Sequence, residues 1–272
     1  MEWIARTSGT KSALYTVTWT GSQFIAVGSL GKTVTSTDGS QWTLRPSGVS
    51  NYLSCVTSHE DTLIATGGDG IITSSDGTNW TSTYSEPRTP VWGVSWAGDR
   101  YIAVGNKGVM LVSKNGMDWD PLKSGTLHGL SMVIKRDSQF VLIGRKGLIL
   151  TSTDGETWNG QTTDTTEDLW GIAFANNRYV VVANGGTILT SPDGENWETQ
   201  VLPDVHHFRG VIWNGNIFLA VGWRGLIFTS PDGQTWTREN SGIRKGLGGA
   251  CWDGSKFVAV GEGGTIVESQ CS

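Results

Sequence analysis

Cysteine, charge and long apolar runs are all scarce in this sequence of 272 residues. Its three cysteines, Cys55, Cys251 and Cys271, are an odd number without close spacing, which argues against a disulfide framework or a zinc site and favours buried thiols. Charged residues make up 17% of the chain and the formal net charge is −5, so we expect no bulk attraction to nucleic acid or an anionic membrane. No run approaches the roughly 18 apolar residues of a membrane span. Because the repeat described below begins at residue 3, we expect neither membrane insertion nor a signal peptide.

Sustained helical periodicity is also missing, whereas glycine is abundant, with 38 residues in the chain. That share is about twice the usual ~7% and indicates many tight turns. One turn recurs six times as a near-identical heptapeptide: STDGSQW (36–42), SSDGTNW (74–80), SKNGMDW (113–119), STDGETW (152–158), SPDGENW (191–197) and SPDGQTW (230–236). Successive copies start 38 or 39 residues apart. A period between roughly 20 and 50 residues is typical of solenoids, propellers and arrays.

Both ends of the chain follow the same period. One period after Ser230 lies Ser269, and one period before Trp42 lies Trp3, so each end carries half of a further copy. We therefore predict that a strand near Trp3 pairs with the strand that ends near Ser269 and completes a seventh unit. Seven such units account for nearly the whole chain, and we expect a single domain over residues 1–272.

Each unit reads as four short strands. One of these is apolar at every position, which is typical of a strand buried on both faces. The apolar runs are FIAV (24–27), YIAV (101–104), FVLI (140–143), YVVV (179–182), FLAV (218–221) and FVAV (257–260). Short turns rich in Gly, Asn and Asp separate the strands. The pattern predicts an all-β fold, a seven-bladed β-propeller of four-stranded antiparallel blades whose last blade is closed by the N-terminal strand.

The heptapeptide itself is turn chemistry. Its Asp can accept backbone N–H bonds across the turn, the following Gly supplies a positive φ, and the Trp anchors the outer strand. Asn115 stands where the other copies have Asp. One carboxylate per turn is far short of the six to eight oxygens that Ca²⁺ requires, so we expect no metal or cofactor here. We interpret the heptapeptide as scaffold, which governs stability and leaves recognition to other residues.

The S-x-D-G-x-x-W turns resemble the Asp-box, or bacterial neuraminidase repeat, and segments such as FVAVGEGGTIVES (257–269) resemble the seven-bladed propellers of the photosystem II assembly factor family and its bacterial relatives. The resemblance covers the whole chain and implies a propeller. Asp-box propellers include sialidases, xyloglucanases, sorting receptors and assembly factors, so the resemblance does not assign a function. Sialidases carry an FRIP-like segment and three arginines that grip a carboxylate. This sequence has no FRIP, and its arginines form no evident triad.

Three of the fourteen tryptophans are not explained by the repeat. Seven belong to the heptapeptides and four share one inner-strand position, which leaves Trp92, Trp170 and Trp223. In a propeller, the heptapeptide turns lie on one face of the disc. The opposite face, here called the loop face, carries the turns between second and third strands and the loops that join successive blades. We expect all three residues on the loop face, where propellers usually bind their ligands.

Charge is segregated around the same face. The predicted ligand-binding set is Tyr15, Asp69, Trp92, Trp170, Arg209, Trp223, Arg224 and Glu262. Acidic residues of this set fall on blades 7 and 2, on either side of Tyr15. Basic residues fall on blades 3, 4 and 6, including Lys107, Arg145 and Lys146, and His128, His206 and His207 lie in loops between blades.

Tyr, Trp and Arg are the residues that anchor protein interfaces, and exposed aromatic rings also stack on sugars. We therefore predict a non-catalytic scaffold that binds a protein or glycan partner on the loop face. The alternative is a glycan-active enzyme with Glu262 and Asp69 as its carboxylate pair. A lectin with one pocket per blade is disfavoured, because the face residues differ from blade to blade. A further alternative is that these are ordinary loop residues, with Trp92 and Trp170 partly buried by the next blade.

Overall fold

The computed structural model describes residues 1–86 and 89–270, and the predicted buried thiol Cys271 lies outside them. The described chain forms seven antiparallel sheets of four strands each. The innermost strand of each sheet contacts the innermost strands of the two neighbouring sheets, which closes the sheets into a ring. The predicted all-β, seven-bladed propeller is thus confirmed. No helix in the described part of the chain is long and apolar enough to cross a membrane.

Blades are numbered here from the sheet that contains Leu14. The innermost strands are β2 (Leu14–Trp19), β6 (Leu53–His59), β10 (Val91–Trp96), β14 (Leu130–Arg136), β18 (Leu169–Ala175), β22 (Phe208–Trp213) and β26 (Leu247–Trp252). The second strands are β3 (Phe24–Gly28), β7 (Thr62–Gly67), β11 (Tyr101–Gly105), β15 (Gln139–Gly144), β19 (Arg178–Ala183), β23 (Phe218–Gly222) and β27 (Phe257–Gly261). The third strands are β4 (Thr33–Ser36), β8 (Gly70–Ser74), β12 (Val109–Ser113), β16 (Ile149–Ser152), β20 (Thr187–Ser191), β24 (Leu226–Ser230) and β28 (Thr265–Gln270).

The outermost strands are the short ones: β5 (Thr43–Arg45), β9 (Thr81–Tyr84), β13 (Asp120–Lys123), β17 (Asn159–Gln161), β21 (Glu198–Val201), β25 (Thr237–Arg238) and, in blade 7, β1 (Glu2–Thr7). Single 3₁₀ turns join the second and third strands of four blades, at Ser29–Gly31, Asn106–Gly108, Trp223–Gly225 and Glu262–Gly264. These turns lie on the loop face.

The core is a set of layers between blades. The apolar second strands are buried along their length, as in β3 and β23, which confirms that each blade lies between two others. Seven clusters of buried side chains each combine residues from two neighbouring blades. In one of them, Phe208 and Phe218 of blade 6 pack with Val180 and Ile188 of blade 5. Because apolar area drives this packing, the stability of each blade depends on its neighbours.

The heptapeptide turns satisfy their own polar groups. In blade 4, Asp154 Oδ1 accepts bonds from the Ser152 hydroxyl and from the backbone N–H groups of Glu156 and Thr157, each at 2.8 Å. Gly155, at φ +76°, donates its N–H to Ser152 Oγ. The corresponding Asp of blades 1, 2, 5 and 6 accepts the same bonds, and Asn115 does so without a charge. The backbone N–H groups hold the pKa of Asp38, Asp76, Asp154, Asp193 and Asp232 below the usual range.

The ring is closed by the two ends of the described chain. Strand β1 pairs with β28, with Trp3 opposite Ser269, as predicted. Arg6 in β1 donates to the carboxylate of Glu268 in β28, whose side chain is only 5% exposed, and Lys256 donates to the same carboxylate at 2.8 Å. Burial alone would raise the pKa of Glu268, but Lys256 and Arg6 outweigh it and hold the pKa below its usual value.

Two cysteines lie in the inner strands, as expected. Cys55 and Cys251 are free and buried. Burial raises the pKa of Cys55 to about 11, so its thiol is protonated near neutral pH and is poorly suited to nucleophilic or redox chemistry.

A candidate binding face opposite the heptapeptide turns

Every innermost strand has a β-bulge at the same place, one residue after its start on the loop face. The register skips one residue there in all seven blades. The skipped residues, here called the bulge residues, are Tyr15, Ser54, Trp92, Ser131, Trp170, Arg209 and Gly248. A bulge leaves its extra residue out of the ladder and re-aims its side chain. The fold therefore presents one position per blade around the mouth of the central channel, and the sequence fills the seven positions with five different residue types.

Aromatic and guanidinium side chains alternate along one side of this mouth. Arg145 Cζ lies 4.6 Å from the ring centroid of Trp92 and 5.9 Å from that of Trp170. Arg209 Cζ lies 4.0 Å from the centroid of Trp170 and 5.6 Å from that of Trp223. We call these five side chains, from blades 3 to 6, the Trp–Arg stack. The structure thus brings together Trp92, Trp170, Arg209 and Trp223 of the predicted set.

Neighbouring residues hold the stack in place. Trp170 donates its indole N–H to Asn184 Oδ1 at 2.9 Å, and the His207 ring meets that of Trp223 edge-on at 4.6 Å. Beside Trp92, a Cβ on Gly129 would come within 2.5 Å of the indole, so only glycine leaves room for the ring. Burial lowers the pKa of His207, and the positive charges of Arg209 and His206 lower it further. His207 therefore adds no positive charge near neutral pH.

Neither stacked arginine has a carboxylate partner. Within residues 1–86 and 89–270, no acidic oxygen lies within ion-pair distance of Arg145 or Arg209, and neither guanidinium donates a hydrogen bond. Arg209 is half-buried, and burial lowers its pKa, with a further lowering by Arg145 and an opposing effect of Asp168. Arginine stays charged in proteins, so a partly desolvated positive charge faces the mouth without a carboxylate in ion-pair contact among the described residues.

Tyrosines line the opposite side of the mouth. Tyr15 is 38% exposed, and its hydroxyl lies 2.7 Å from Ser29 Oγ. Its ring meets that of Tyr52 edge-on at 6.5 Å. Glu262 is exposed nearby and accepts the N–H of Gly246 at 3.0 Å.

Two connected cavities lie between these walls. The outer cavity, about 450 Å³, is lined by Tyr15, Trp170, Arg209, Trp223 and Glu262 among others. The inner cavity, about 460 Å³, continues into the central channel between the innermost strands. The two share Tyr52, Ser54, Trp170, Arg209 and Gly248, so Arg209 lies at their junction. Both volumes fall in the range of roughly 300–1,000 Å³ that is typical of ligand pockets.

The other two members of the predicted set lie apart. Asp69 lines neither cavity and accepts bonds from the backbone and side-chain N–H groups of Asn51. Arg224 also lines neither cavity. Its Nη1 lies 3.0 Å from His206 Nε2, and Arg224 is the donor of this hydrogen bond because arginine has no acceptor atom. Arg224 still contributes positive charge to the loop face.

The two faces of the disc differ in charge. The loop face carries Lys107, Arg145, Lys146, Arg209, Arg224, Arg244 and Lys245. The opposite face carries the turn carboxylates Asp38, Asp76, Asp154, Asp193 and Asp232. Acidic residues interrupt this basic surface at Asp69 of blade 2, at Glu262 of blade 7, and at Glu167 and Asp168 in the loop between blades 4 and 5. The loop face therefore carries a cluster of basic residues although the net charge of the chain is −5.

Arg145 and Tyr52 were not in the predicted set, although both belong to the mouth. Arg145 occupies the same turn position in blade 4 that Trp223 occupies in blade 6, and this alignment is the signal that could have identified it. Tyr52 directly precedes β6, at a position that the other blades fill with Ala13, Pro90, Gly129, Asp168, His207 and Gly246, and this alignment is the signal that could have identified it.

The fold is shared with several solved structures. A structure of YCF48 bound to D1 peptide has a TM-score of 0.82 and 19% identity, over 100% of this chain and 98% of that chain. A catalytically inactive variant of virginiamycin B lyase from Staphylococcus aureus with quinupristin has a TM-score of 0.89 and 11% identity, over 100% of this chain and 99% of that one. The WD40 repeats of RRP9 have a TM-score of 0.76 and 12% identity, over 98% and 99%. No protein-family model and no curated protein sequence matches the chain. At these identities the likeness establishes the fold alone.

Proposed function

We propose that this protein is a non-catalytic scaffold that binds an acidic segment of a protein partner on its loop face. The observation that carries the proposal is the Trp–Arg stack, in which two guanidinium groups lie between indole rings and have no carboxylate in ion-pair contact among the described residues. A partner carboxylate would supply that counter-ion through charge-assisted hydrogen bonds. The rings would supply the apolar area that anchors interfaces.

The charge distribution favours a protein over a neutral glycan. A basic face gains affinity and association rate from an acidic partner, but a neutral sugar gains nothing from it. Exposed apolar side chains at the same face, Leu30, Leu127 and Val201 with Trp223, extend the surface beyond the mouth. Their spread suits a protein interface better than a single sugar pocket. Arg224, which lies outside the cavities, would then contact the partner at the rim.

The glycan-active alternative receives less support. It needs two carboxylates on opposite sides of one reacting bond. Asp69 and Glu262 are each bonded to a backbone N–H of their own blade's loops, and they share neither described cavity. The YCF48 structure contains a bound peptide, so a propeller of this fold can bind one, and the same fold also occurs in the virginiamycin B lyase. We also propose that the heptapeptide turns are Asp-boxes that serve only as scaffold.

The test is binding to an array of random peptides, alongside a glycan array. The wild-type protein should retain acidic peptides, and retention should fall as salt is raised because the contacts are electrostatic. The triple variant Trp92→Ala, Trp170→Ala, Trp223→Ala should lose on the order of 2 kcal/mol or more of binding free energy. Arg136→Met is the matched control. Arg136 also stacks on an aromatic ring, with its Cζ 5.2 Å from the centroid of Phe174, but it does not lie on the loop face. Equal retention by wild type and triple variant, both folded by circular dichroism, would refute the proposal. Selective retention of glycans would favour the alternative.

A further inference from the structure

The junction of the two cavities defines what part of a partner fits the mouth, if the loop face binds a protein as proposed above. Arg209 lines both cavities. Its guanidinium therefore lies where the outer cavity, which opens to solvent, joins the inner cavity, which continues toward the centre of the ring. A ligand that pairs with the guanidinium and fills both cavities must branch there. It needs an anionic group, an apolar group and a connection to the outside.

The linings differ in a way that assigns each branch. Deep in the inner cavity, the innermost strands contribute the apolar residues Val17, Val56, Ile172, Val211, Ile212 and Ala250, while Trp92 and Arg145 of the stack line its entrance together with Ser54 and Ser131. The outer cavity has aromatic walls, Tyr15 and Tyr52 on one side and Trp170 and Trp223 on the other. Extended backbone fits between aromatic walls, whereas an apolar side chain fits the inner lining.

We infer that the mouth binds the carboxyl-terminal residue of a protein or peptide. Its carboxylate would pair with Arg209, its apolar side chain would enter the inner cavity, and the preceding residues would leave through the outer cavity. These are the three substituents on the Cα atom of a terminal residue.

An internal Asp or Glu fits less well. Its chain would have to enter and leave through the outer cavity, and no group would remain to fill the inner cavity. The glycines of the innermost strands support a narrow channel, since a Cβ on Gly171 would meet the backbone of Val211 at 3.0 Å and one on Gly248 would meet that of Tyr15 at 2.5 Å.

The energetic reason is the state of Arg209 in the free protein. Its guanidinium is half-buried, and this burial lowers the pKa of Arg209 because it removes water from the charged form. Among the described residues, no carboxylate forms an ion pair with it. A terminal carboxylate accepts two parallel bonds from a guanidinium in the geometry that arginine favours. Replacing that carboxylate by an amide removes the charge and one acceptor while it preserves the shape.

The experiment uses fluorescein-labelled peptides of the form Gly-Ser-Gly-Ser-Gly-Xaa, with Xaa as Gly, Val, Leu or Phe, each with a free and an amidated carboxyl end. Fluorescence anisotropy with the full chain gives the affinities. We expect the free acid to bind on the order of tenfold or more tightly than the amide, because a hydrogen bond to a charged group contributes about 1.5–3 kcal/mol. We also expect affinity to rise from Gly to the larger apolar residues.

Variants separate the contributions. Arg209→Met should remove the preference for the free acid, and Arg209→Lys should retain part of it because the charge remains but the planar fork is lost. The control Arg136→Met, on the opposite face, should preserve it. A small carboxylic acid could present the same carboxylate and apolar side chain as a peptide end, and N-acetylphenylalanine tests this possibility. It should compete with the peptide but bind more weakly, since it leaves most of the outer cavity empty.

Equal binding of free and amidated peptides, or absence of binding to any free-acid peptide, would overturn the inference. Equal affinity of N-acetylphenylalanine and the best peptide would overturn the assignment to a chain end. If acidic internal peptides from the array bind and depend on the three tryptophans while the free end has no effect, the proposed function stands and only this inference fails. If the loop-face variants change no binding at all, both fail.

Discussion

Trp158 and Trp197 are a matched pair on which the role of the heptapeptide turns can be measured. Both are half-buried and occupy the same position in blades 4 and 5, and each meets one ring of the second strand, Phe140 at 6.1 Å or Tyr179 at 6.2 Å. They differ in one hydrogen bond. Trp197 donates its indole N–H to the carbonyl of Gly194 at 2.9 Å, whereas the buried indole N–H of Trp158 has no acceptor among the described residues.

Substitution by Phe removes the indole N–H and a similar part of the ring at both positions. Trp197→Phe therefore loses a hydrogen bond with a net value of about 1 kcal/mol. In the wild-type protein, a buried donor without a partner destabilises the native state by roughly 1–3 kcal/mol. Trp158→Phe removes that donor and therefore relieves this destabilisation. The loss of ring area is common to both variants. We expect Trp158→Phe to be more stable than Trp197→Phe by roughly 2–4 kcal/mol, the sum of the two effects.

Urea unfolding followed by circular dichroism gives both free energies of unfolding, and equal slopes against denaturant would show that the same surface is exposed in each. Substitution by Ala at either position should lower the free energy of unfolding by about 3 kcal/mol or more if the ring anchors its blade. Equal stability of the two Phe variants would show that the indole N–H of Trp158 is satisfied in solution and would refute the reasoning.

Three further outcomes concern closure and the turns. Deletion of residues 1–10 should lower the unfolding temperature sharply, because it removes β1 and exposes the edge of β28, and an unchanged midpoint would contradict the shared blade. Glu268 has a depressed pKa, so its stabilisation is present above its unfolded pKa, near 4.5, and is lost as the pH falls through its folded pKa. Glu268→Gln should therefore lower the unfolding temperature at neutral pH. Below about pH 4.5, the unfolding temperature of the variant should fall less steeply with pH than that of the wild type, as thermal unfolding at several pH values would show. Asp193→Asn should be milder than Asp193→Ala, because Asn115 already makes the same backbone bonds in blade 3, and the reverse order of unfolding temperatures would count against this account of the turn.

The fold could be predicted because one unit is repeated. Turn chemistry, the fully apolar second strands and the split seventh unit each point to the same ring, and the period alone predicts that the strand near Trp3 pairs with the strand near Ser269. The positions of Trp92, Trp170 and Trp223 on the loop face could be predicted for the same reason. The fold requires no tryptophan at positions that carry Ser54, Ser131 or Gly248 in other blades.

The stack itself could not be predicted. Its contacts join side chains from different blades, such as Trp92 with Arg145, and the distance between them depends on how closely the innermost strands approach. That approach depends on the bulges and on glycines such as Gly129, which the strand pattern does not reveal. Tyr52 and Tyr15 belong to different blades, so their contact emerges only in three dimensions.

The most direct test of the central claim is to measure stability and binding together for Arg209→Met. If Arg209 is held for recognition, its half-buried charge contributes little to folding, so the variant should unfold at the same temperature as wild type or higher while it loses its acidic peptide ligands from the array. Differential scanning fluorimetry and anisotropy on the same sample give both quantities. Undiminished binding of those peptides, or a fall in stability as large as that of a core substitution, would show that Arg209 serves the fold and would contradict the account.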